Sequence, residues 1–119
     1  MKTILVVDDE PNMRQLIAET INDAGYKVRT AGNGFEALEI IENEPIDLVI
    51  LDIQMPQLDG LEAIGKIKEF KKNLPVILHT GYGEYKTRDY RTWVASAIIK
   101  KSSDFEELLE AINKIFSES

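Results

Sequence analysis

Short runs of consecutive apolar residues alternate along the chain with longer segments in which apolar residues recur every three or four positions. Continuous apolar runs are typical of strands buried on both faces of a parallel sheet, and the longer spacing is typical of helices with one apolar side. The runs predict strands at residues 3–7, 48–51, 75–80 and 97–99, and an alternating segment at residues 27–31 predicts a further, more exposed strand, which makes five. Helical spacing follows each of them, weakest at residues 83–93, so the pattern predicts five helices.

Capping and turn residues mark the ends of the predicted helices. Pro11 fits the first turn of the first helix, and Gly25 fits the position just after its end. Residues 33–36, 59–62 and 103–106 have polar side chains with the spacing found at helix N-termini. The spacing in the third helix predicts one apolar side made of Leu61, Ile64, Ile67 and Phe70.

The regular alternation of strand and helix predicts an α/β fold with a doubly wound parallel sheet. Consecutive parallel strands need helical crossovers, which are right-handed and cover both faces of the sheet. A chain of 119 residues with 44% hydrophobic residues has the size of one ordinary domain, so a single domain over residues 1–119 is expected.

The charge and the residue composition exclude several kinds of site. A net charge of −7 argues against direct binding to nucleic acid or to an anionic membrane as the main task. The absence of cysteine excludes disulfides and thiolate sites, and a single histidine excludes a multi-histidine zinc site. Neither a signal peptide nor an apolar run long enough to span a membrane is present, so a cytoplasmic protein is expected.

Carboxylate, hydroxyl and ammonium groups follow the predicted strands at their carboxyl ends. They are Asp8 and Asp9 after the first strand, Asp52 after the third, Thr80 at the end of the fourth, and Lys100 or Lys101 after the fifth. Since these strand ends share one edge of a parallel sheet, the groups are expected to converge. Clustered carboxylates repel unless a cation neutralises them, and an open, oxygen-lined site completed by waters and a phosphate suits Mg²⁺ better than Mn²⁺ or Ca²⁺. The set predicts phosphoryl transfer onto a carboxylate, with Asp52 as the nucleophile.

Each of these residues also has a simpler interpretation when it is taken alone. Asp52 could end a strand or cap a helix, and residues 8–10 could be the acidic first turn of a helix. Thr80 could be an ordinary strand-end hydroxyl, and a lysine pair in a loop is usually solvated. His79 is interpreted as a partly buried strand residue rather than as a ligand or a phosphocarrier. Phosphoryl transfer is preferred because the reactive groups all fall at one sheet edge.

Four segments together resemble the receiver domain of two-component response regulators, and the resemblance covers essentially the whole chain. They are Asp8–Asp9, the segment Leu-Asp-Ile-Gln-Met-Pro-Gln-Leu-Asp-Gly at 51–60, Thr-Gly-Tyr-Gly at 80–83, and the lysine downstream. Residues 80–84 are especially similar to single-domain sporulation-phosphorelay receivers and to receivers of nitrogen-regulator type. The family implies a flavodoxin-like (CheY-like) sheet with strand order 2-1-3-4-5 and five helices.

The resemblance also implies a role for each site residue. Asp52 accepts a phosphoryl group from the phosphohistidine of a sensor histidine kinase or a histidine phosphotransfer protein. Asp9 ligates Mg²⁺ directly and Asp8 mostly through water, with Asp52 and the backbone carbonyl of Gln54 completing the metal ligands. Thr80 and the lysine hold the phosphoryl group. Such a domain assists its own phosphorylation and dephosphorylation but is not a conventional enzyme. It acts on a downstream protein that the sequence does not name, as a monomer or a weak phosphorylation-dependent dimer.

The register after the fifth strand selects Lys101 over Lys100 as the functional lysine. Adjacent strand residues point in opposite directions, so only one of the two reaches the site. Receivers commonly have an apolar residue four positions after the lysine, and that residue is Phe105 when counted from Lys101 but Asp104 when counted from Lys100. Lys101 is therefore expected to bind the phosphoryl oxygens, and to contact Asp52 when no phosphoryl group is present.

The chain departs from the family pattern in the same region. No proline follows Lys101, Ile98 occupies the position of the usual aromatic switch residue, and the segment between Thr80 and the lysine is slightly short. The predicted fourth helix, at residues 83–93, is therefore expected to be short. In the family that helix, the fifth strand and the last helix form the surface that partners bind.

Two other classes share parts of this pattern. A haloacid-dehalogenase-like phosphatase uses a strand-end Asp with Mg²⁺ but has a second acid two residues later, where this chain has Gln54. A flavodoxin-like flavin carrier has the same topology but a Ser/Thr-rich phosphate loop after its first strand, where this chain has Asp8–Asp9. Turnover of a phosphomonoester would indicate the first class, and a yellow purified protein the second.

Overall fold

The computed structural model describes residues 1–55, 58–81, 94–101 and 105–118. The strands are β1 (Thr3–Val7), β2 (Lys27–Ala31), β3 (Leu48–Asp52), β4 (Val76–Thr80) and β5 (Ala97–Lys100). The helices in the described residues are α1 (Pro11–Asp23), α2 (Gly34–Asn43), α3 (Gly60–Phe70) and α4 (Glu106–Glu118). None of these described helices combines the length and the apolar character needed to cross a membrane. The predicted helix at residues 83–93 and the predicted cap at Ser103 lie outside the described residues.

One parallel sheet contains the five described strands, in the order β2-β1-β3-β4-β5. This order confirms the predicted doubly wound α/β fold. The sheet register aligns Val7 with Leu51 and Asp52 with His79, so the carboxyl ends of β1, β3 and β4 lie at one edge. Every residue of β3 and β4 is buried, and for β3 this burial was predicted from its continuous apolar run.

Apolar side chains pack on both faces of the sheet. One cluster packs α2 and α3 against it and includes Leu5, Val49, Leu78, Ala37 and Ile64. The second cluster packs α1 and α4 against the opposite face and includes Ile4, Ile50, Ile77, Ile17 and Ile112. Because strand residues alternate between faces, Asp52 lies on the same face as Ile50, towards α1 and α4.

Local side-chain bonds begin two of the helices as predicted. The carboxylate of Asp59 accepts a hydrogen bond from the backbone N–H of Glu62 at 2.9 Å. The side-chain oxygen of Asn33 accepts one from the backbone N–H of Glu36 at 2.8 Å. Each cap satisfies an N–H group that has no partner within its own helix. At the end of α1, Gly25 has a φ angle of 103°, the left-handed conformation that glycine adopts most readily.

The start of α3 lies close to the main chain at the end of β3. The backbone N–H of Gly60 donates a hydrogen bond to the carbonyl of Ile53 at 2.9 Å. A Cβ atom at position 60 would overlap the carbonyl oxygen of Asp52 and would lie 2.6 Å from the Cα atom of Ile53. Glycine at this position therefore allows α3 to begin directly against the backbone that carries the Asp52 carboxylate.

One residue of the predicted apolar side of α3 is exposed. Phe70 lies on the predicted apolar side of α3 with Ile67, but 52% of its surface is accessible to solvent. Phe70 is the last residue of the helix and lines an open groove with Lys71 and Leu74. Helical spacing predicts the side of a helix on which a residue lies, but the packing at the helix end decides whether that side is covered.

Candidate functional site

Three polar residues at the carboxyl edge of the sheet are buried. Asp8 directly follows β1 and is 1% exposed, Asp52 ends β3 and is 4% exposed, and Thr80 ends β4 and is 2% exposed. The strand register places Asp8 beside Asp52, and it places Thr80 one residue beyond His79, the partner of Asp52. Buried carboxylates are costly unless a cation pairs with them. Their presence at the end of two adjacent strands therefore marks this edge as a candidate site.

Lys101 joins the two buried carboxylates. Its ammonium nitrogen Nζ donates hydrogen bonds to Oδ2 of Asp8 at 3.0 Å and to Oδ2 of Asp52 at 3.1 Å. Its backbone N–H donates to the carbonyl of Thr80 at 2.7 Å, which fixes the lysine at the end of the sheet. Lys100 is the last residue of β5, and it is exposed. The structure thus brings Lys101 to Asp52 and Asp8.

The acidic residues form a group of oxygen ligands. Carboxylate oxygens of Asp8, Asp9 and Asp52 all lie within 4.8 Å of one another. Asp9 is exposed, and Oδ1 of Asp8 accepts a hydrogen bond from the backbone N–H of Glu10 at 2.9 Å. Carboxylate oxygens without nitrogen or sulfur ligands suit a hard divalent cation that retains water molecules.

Burial and neighbouring charges shift the ionisation of the site. Burial raises the pKa of Asp52, the charge of Lys101 lowers it, and the nearby Asp8 raises it, with a net upward shift. Burial lowers the pKa of Lys101, but its hydrogen bonds and charge interactions with Asp8 and Asp52 outweigh that effect, and the net shift is upward. The lysine is therefore held charged between two carboxylates, which leaves the site with an excess of negative charge.

The backbone after β3 closes one side of the site. The N–H of Gln54 donates to Oδ1 of Asp52 at 3.1 Å, while the side chain of Gln54 is exposed. An open cavity of about 700 Å³ lies in front of the carboxylates. Its lining consists of Asp8, Asp9, Glu10, Met13, Asp52, Gln54, Met55 and Lys101. The Asp52 carboxylate therefore lies in the wall of an open cavity, although little of its surface is exposed.

His79 lies behind the site in the α1–α4 face of the sheet. Its side chain is 2% exposed, and its Nδ1 atom has no hydrogen-bond partner among the described residues. Burial lowers its pKa to about 4, and the charge of Lys101 acts in the same direction. The histidine is therefore neutral at pH 7. It is more deeply buried than the sequence analysis expected, which interpreted it as a partly buried strand residue.

The structure adds residues to the site that the sequence pattern did not single out. Met13 lines the cavity, beside Met55 of the segment at 51–60. Arg14 donates a hydrogen bond from Nη1 to the backbone carbonyl of Asp8 at 2.8 Å. The available signal was sequence position alone, because Met13 and Arg14 lie near the start of the helix that follows the Asp8–Asp9 pair.

Comparison with known families decides the class of the protein. Residues 4–113 match the response regulator receiver domain. The chain belongs to this receiver family. Receivers are phosphoacceptor domains of two-component signal transduction, so the chain is a signalling domain and not a conventional enzyme.

Individual relatives cover nearly the whole receiver. Sporulation initiation phosphotransferase F of Bacillus subtilis (strain 168) is 37% identical over 112 residues, which are 93% of this chain and 90% of the relative. The crystal structure of response regulator protein TrrA from Thermotoga maritima in complex with Mg(2+)-BeF is 47% identical, with a TM-score of 0.92 over 97% of this chain and 99% of that one. In its complex with histidine kinase ThkA, TrrA superposes with 47% identity and a TM-score of 0.90, over 97% and 98% of the two chains. Several other relatives are longer regulatory proteins, of which the matched residues make up 26% or less.

Proposed function

We propose that Asp52 of this receiver accepts a phosphoryl group from a phosphohistidine in a Mg²⁺-dependent reaction. The observation that carries this proposal is the convergence of three carboxylates and the Lys101 ammonium at one sheet edge. Asp52 is the phosphoacceptor because it ends the central strand β3 and faces both Asp8 and Lys101. The donor is a sensor histidine kinase or a histidine phosphotransfer protein, and the complex of TrrA with a histidine kinase supports this class of partner.

Asp8, Asp9, Asp52 and the backbone carbonyl of Gln54 are proposed to hold the Mg²⁺ ion. Their oxygen chemistry and the short separations among the three carboxylates fit this ion. The Mg²⁺ in the similar TrrA structure supports the assignment. When bound, Mg²⁺ neutralises the carboxylates and the incoming phosphoryl oxygens.

The side chains of the site have separate roles in the proposed transfer. A carboxylate oxygen of Asp52 attacks the phosphorus atom and forms an acyl phosphate. The P–N bond of the phosphohistidine breaks, and its electron pair returns to the imidazole ring. Lys101 donates to a phosphoryl oxygen in place of its present bonds to Asp8 and Asp52. The hydroxyl of Thr80, at the end of the neighbouring strand, binds another phosphoryl oxygen.

The proposal also includes the setting in which the receiver acts. Residues 1–119 form a single cytoplasmic domain that signals to a downstream protein, as a monomer or as a weak phosphorylation-dependent dimer. The match over residues 4–113 and the single five-stranded sheet support one domain. The net charge of −7 supports protein partners rather than direct contact with nucleic acid or an anionic membrane.

Mapping of the modified residue tests the assignment of Asp52. The protein is incubated with Mg²⁺ and acetyl phosphate, and the acyl phosphate is trapped with borohydride and located by mass spectrometry. We expect the label on Asp52 and its loss in Asp52→Ala. Asp23→Ala removes an exposed carboxylate at the end of α1 and serves as the control that retains labelling. Full labelling of Asp52→Ala would contradict the proposal.

A further inference from the structure

Arg14 connects three segments around the end of β1. Its Nη1 atom donates a hydrogen bond to the backbone carbonyl of Asp8 at 2.8 Å. The same atom would lie 3.1 Å from a Cβ atom placed on Gly32, in the turn between β2 and α2. The backbone N–H of Arg14 donates to Glu10 at the start of α1. The guanidinium group therefore lies between the end of β1, the first turn of α1 and the turn after β2.

The carbonyl that Arg14 holds belongs to the peptide that links the two acidic residues of the cation site. The N–H of Asp8 donates to the carbonyl of Ala31 at 3.2 Å, so both backbone polar groups of Asp8 have partners. The side chain of Asp8 is held separately, by Lys101 and by the N–H of Glu10. Asp9 is exposed. The direction in which its carboxylate leaves the chain thus depends on the orientation of the Asp8–Asp9 peptide.

We propose that Arg14 is a positioning residue for the cation site. By holding the Asp8 carbonyl over Gly32, it orients the peptide that carries Asp9 so that the carboxylate of Asp9 lies beside those of Asp8 and Asp52. The proposal rests on the proposed Mg²⁺ site and deepens it. Outer partners that orient metal ligands commonly change metal affinity by about 10-fold to 100-fold when they are removed.

The sign of the effect separates positioning from simple electrostatics. A guanidinium near a cation site repels the cation, so its removal would tighten Mg²⁺ binding if charge alone mattered. Loss of a positioning contact has the opposite effect, because the ligands must then be ordered when the cation binds. Arg14→Met is therefore expected to weaken Mg²⁺ binding about tenfold.

A second variant disturbs the same contact without changing any charge. Gly32→Ala places a methyl group 3.1 Å from Nη1, so the guanidinium must shift by a few tenths of an ångström away from its present position over residue 32. This variant is expected to weaken Mg²⁺ binding in the same direction as Arg14→Met. Arg14→Lys retains one donor for the Asp8 carbonyl and is expected to recover part of the affinity.

Two matched controls make the same kinds of substitution away from the proposed cation site. Arg29→Met eliminates an arginine that pairs with Glu44 on the surface, at 2.8 Å. Gly65→Ala adds a methyl group where no atom lies within 4 Å. Both controls are expected to bind Mg²⁺ within about twofold of the parent protein, as for surface changes that touch no ligand.

The experiment is a Mg²⁺ titration of the whole chain, followed by backbone amide shifts and accompanied by urea unfolding of each variant. Weaker binding in folded Arg14→Met and Gly32→Ala, with partial recovery in Arg14→Lys, supports the proposal. Unchanged or tighter binding in the Arg14 and Gly32 variants overturns it. If Arg14→Met does not fold, Gly32→Ala and Arg14→Lys decide the question. Undiminished binding by Asp9→Ala would instead show that the proposed Mg²⁺ site itself is misplaced.

Discussion

The ammonium group of Lys101 lies 3.1 Å from the carboxylate of Asp52, across 49 residues of sequence. The same group lies 3.0 Å from the carboxylate of Asp8. Lys101 therefore neutralises part of the charge of a buried carboxylate pair.

Lys101→Ala is expected to slow phosphorylation of Asp52 by about 100-fold, the usual effect of removing one donor to a developing negative charge. In the absence of Mg²⁺ it should also lower the free energy of unfolding by about 2 kcal/mol, because two buried carboxylates lose a partner. Phosphorylation by acetyl phosphate and urea unfolding measure the two effects. Lys100→Ala is the matched control, since Lys100 is exposed. If Lys100→Ala is phosphorylated slowly and Lys101→Ala at the normal rate, then Lys100 and not Lys101 is the functional lysine.

Asp9→Ala is expected to weaken Mg²⁺ binding at least about tenfold, because it removes one of few protein ligands. Binding by the parent protein should also weaken as the pH falls, since the ligands must be deprotonated. The raised pKa of Asp52 makes this loss begin at a higher pH than an ordinary aspartate would. Amide-shift titrations at several pH values measure both effects. Affinity that is constant well into the acid range would contradict the participation of Asp52.

The buried histidine should make the fold sensitive to mild acid. The folded pKa of His79 is about 4, below its ordinary value of 6.5, so the unfolded chain binds a proton there first. Stability that is present above pH 6.5 is therefore lost as the pH falls towards 4, by about 2 kcal/mol between pH 7 and 5. The raised pKa of Asp52 has the opposite effect on the pH dependence of stability, but this effect is the same in the parent protein and in a variant that lacks the histidine.

His79→Leu should remove this part of the acid sensitivity. Urea unfolding at pH 7 and pH 5 gives the difference between the two proteins. Because His79 is the single histidine of the chain, no other imidazole contributes to that difference. If the free energy of unfolding changes equally with pH in the parent and in the variant, then His79 is not held neutral in the folded protein.

Gly60→Ala should destabilise the protein by about 2 kcal/mol, because the added methyl group overlaps the carbonyl of Asp52 and the backbone must move. The displaced backbone should also slow phosphorylation. Gly65→Ala, in the same helix and with open space around it, should instead raise stability by about 1 kcal/mol. Thermal or urea unfolding compares the pair. Similar stability of the two variants would contradict the close approach of α3 to β3.

The hydrophobic pattern of the chain was enough to predict the fold and to predict which polar groups lie at the carboxyl edge of the sheet. Short continuous apolar runs are typical of the inner strands of a parallel sheet, and such strands present their carboxyl ends together. Because those runs end at Asp8, Asp52 and Thr80, their convergence follows from the pattern. The caps at Asn33 and Asp59 were equally local, since each bond spans three residues.

The contacts among these groups depend on long-range packing, which the sequence pattern does not specify. The bond between Lys101 and Asp8 spans 93 residues, and no local periodicity encodes its length or its partners. The same holds for Arg14 over Gly32 and for the burial of His79. Phe70 shows the converse, since correct helical spacing did not ensure its burial. Hydrophobic periodicity reports which side of an element faces the core, whereas the distances and exposures that set the chemistry depend on how distant elements pack against one another.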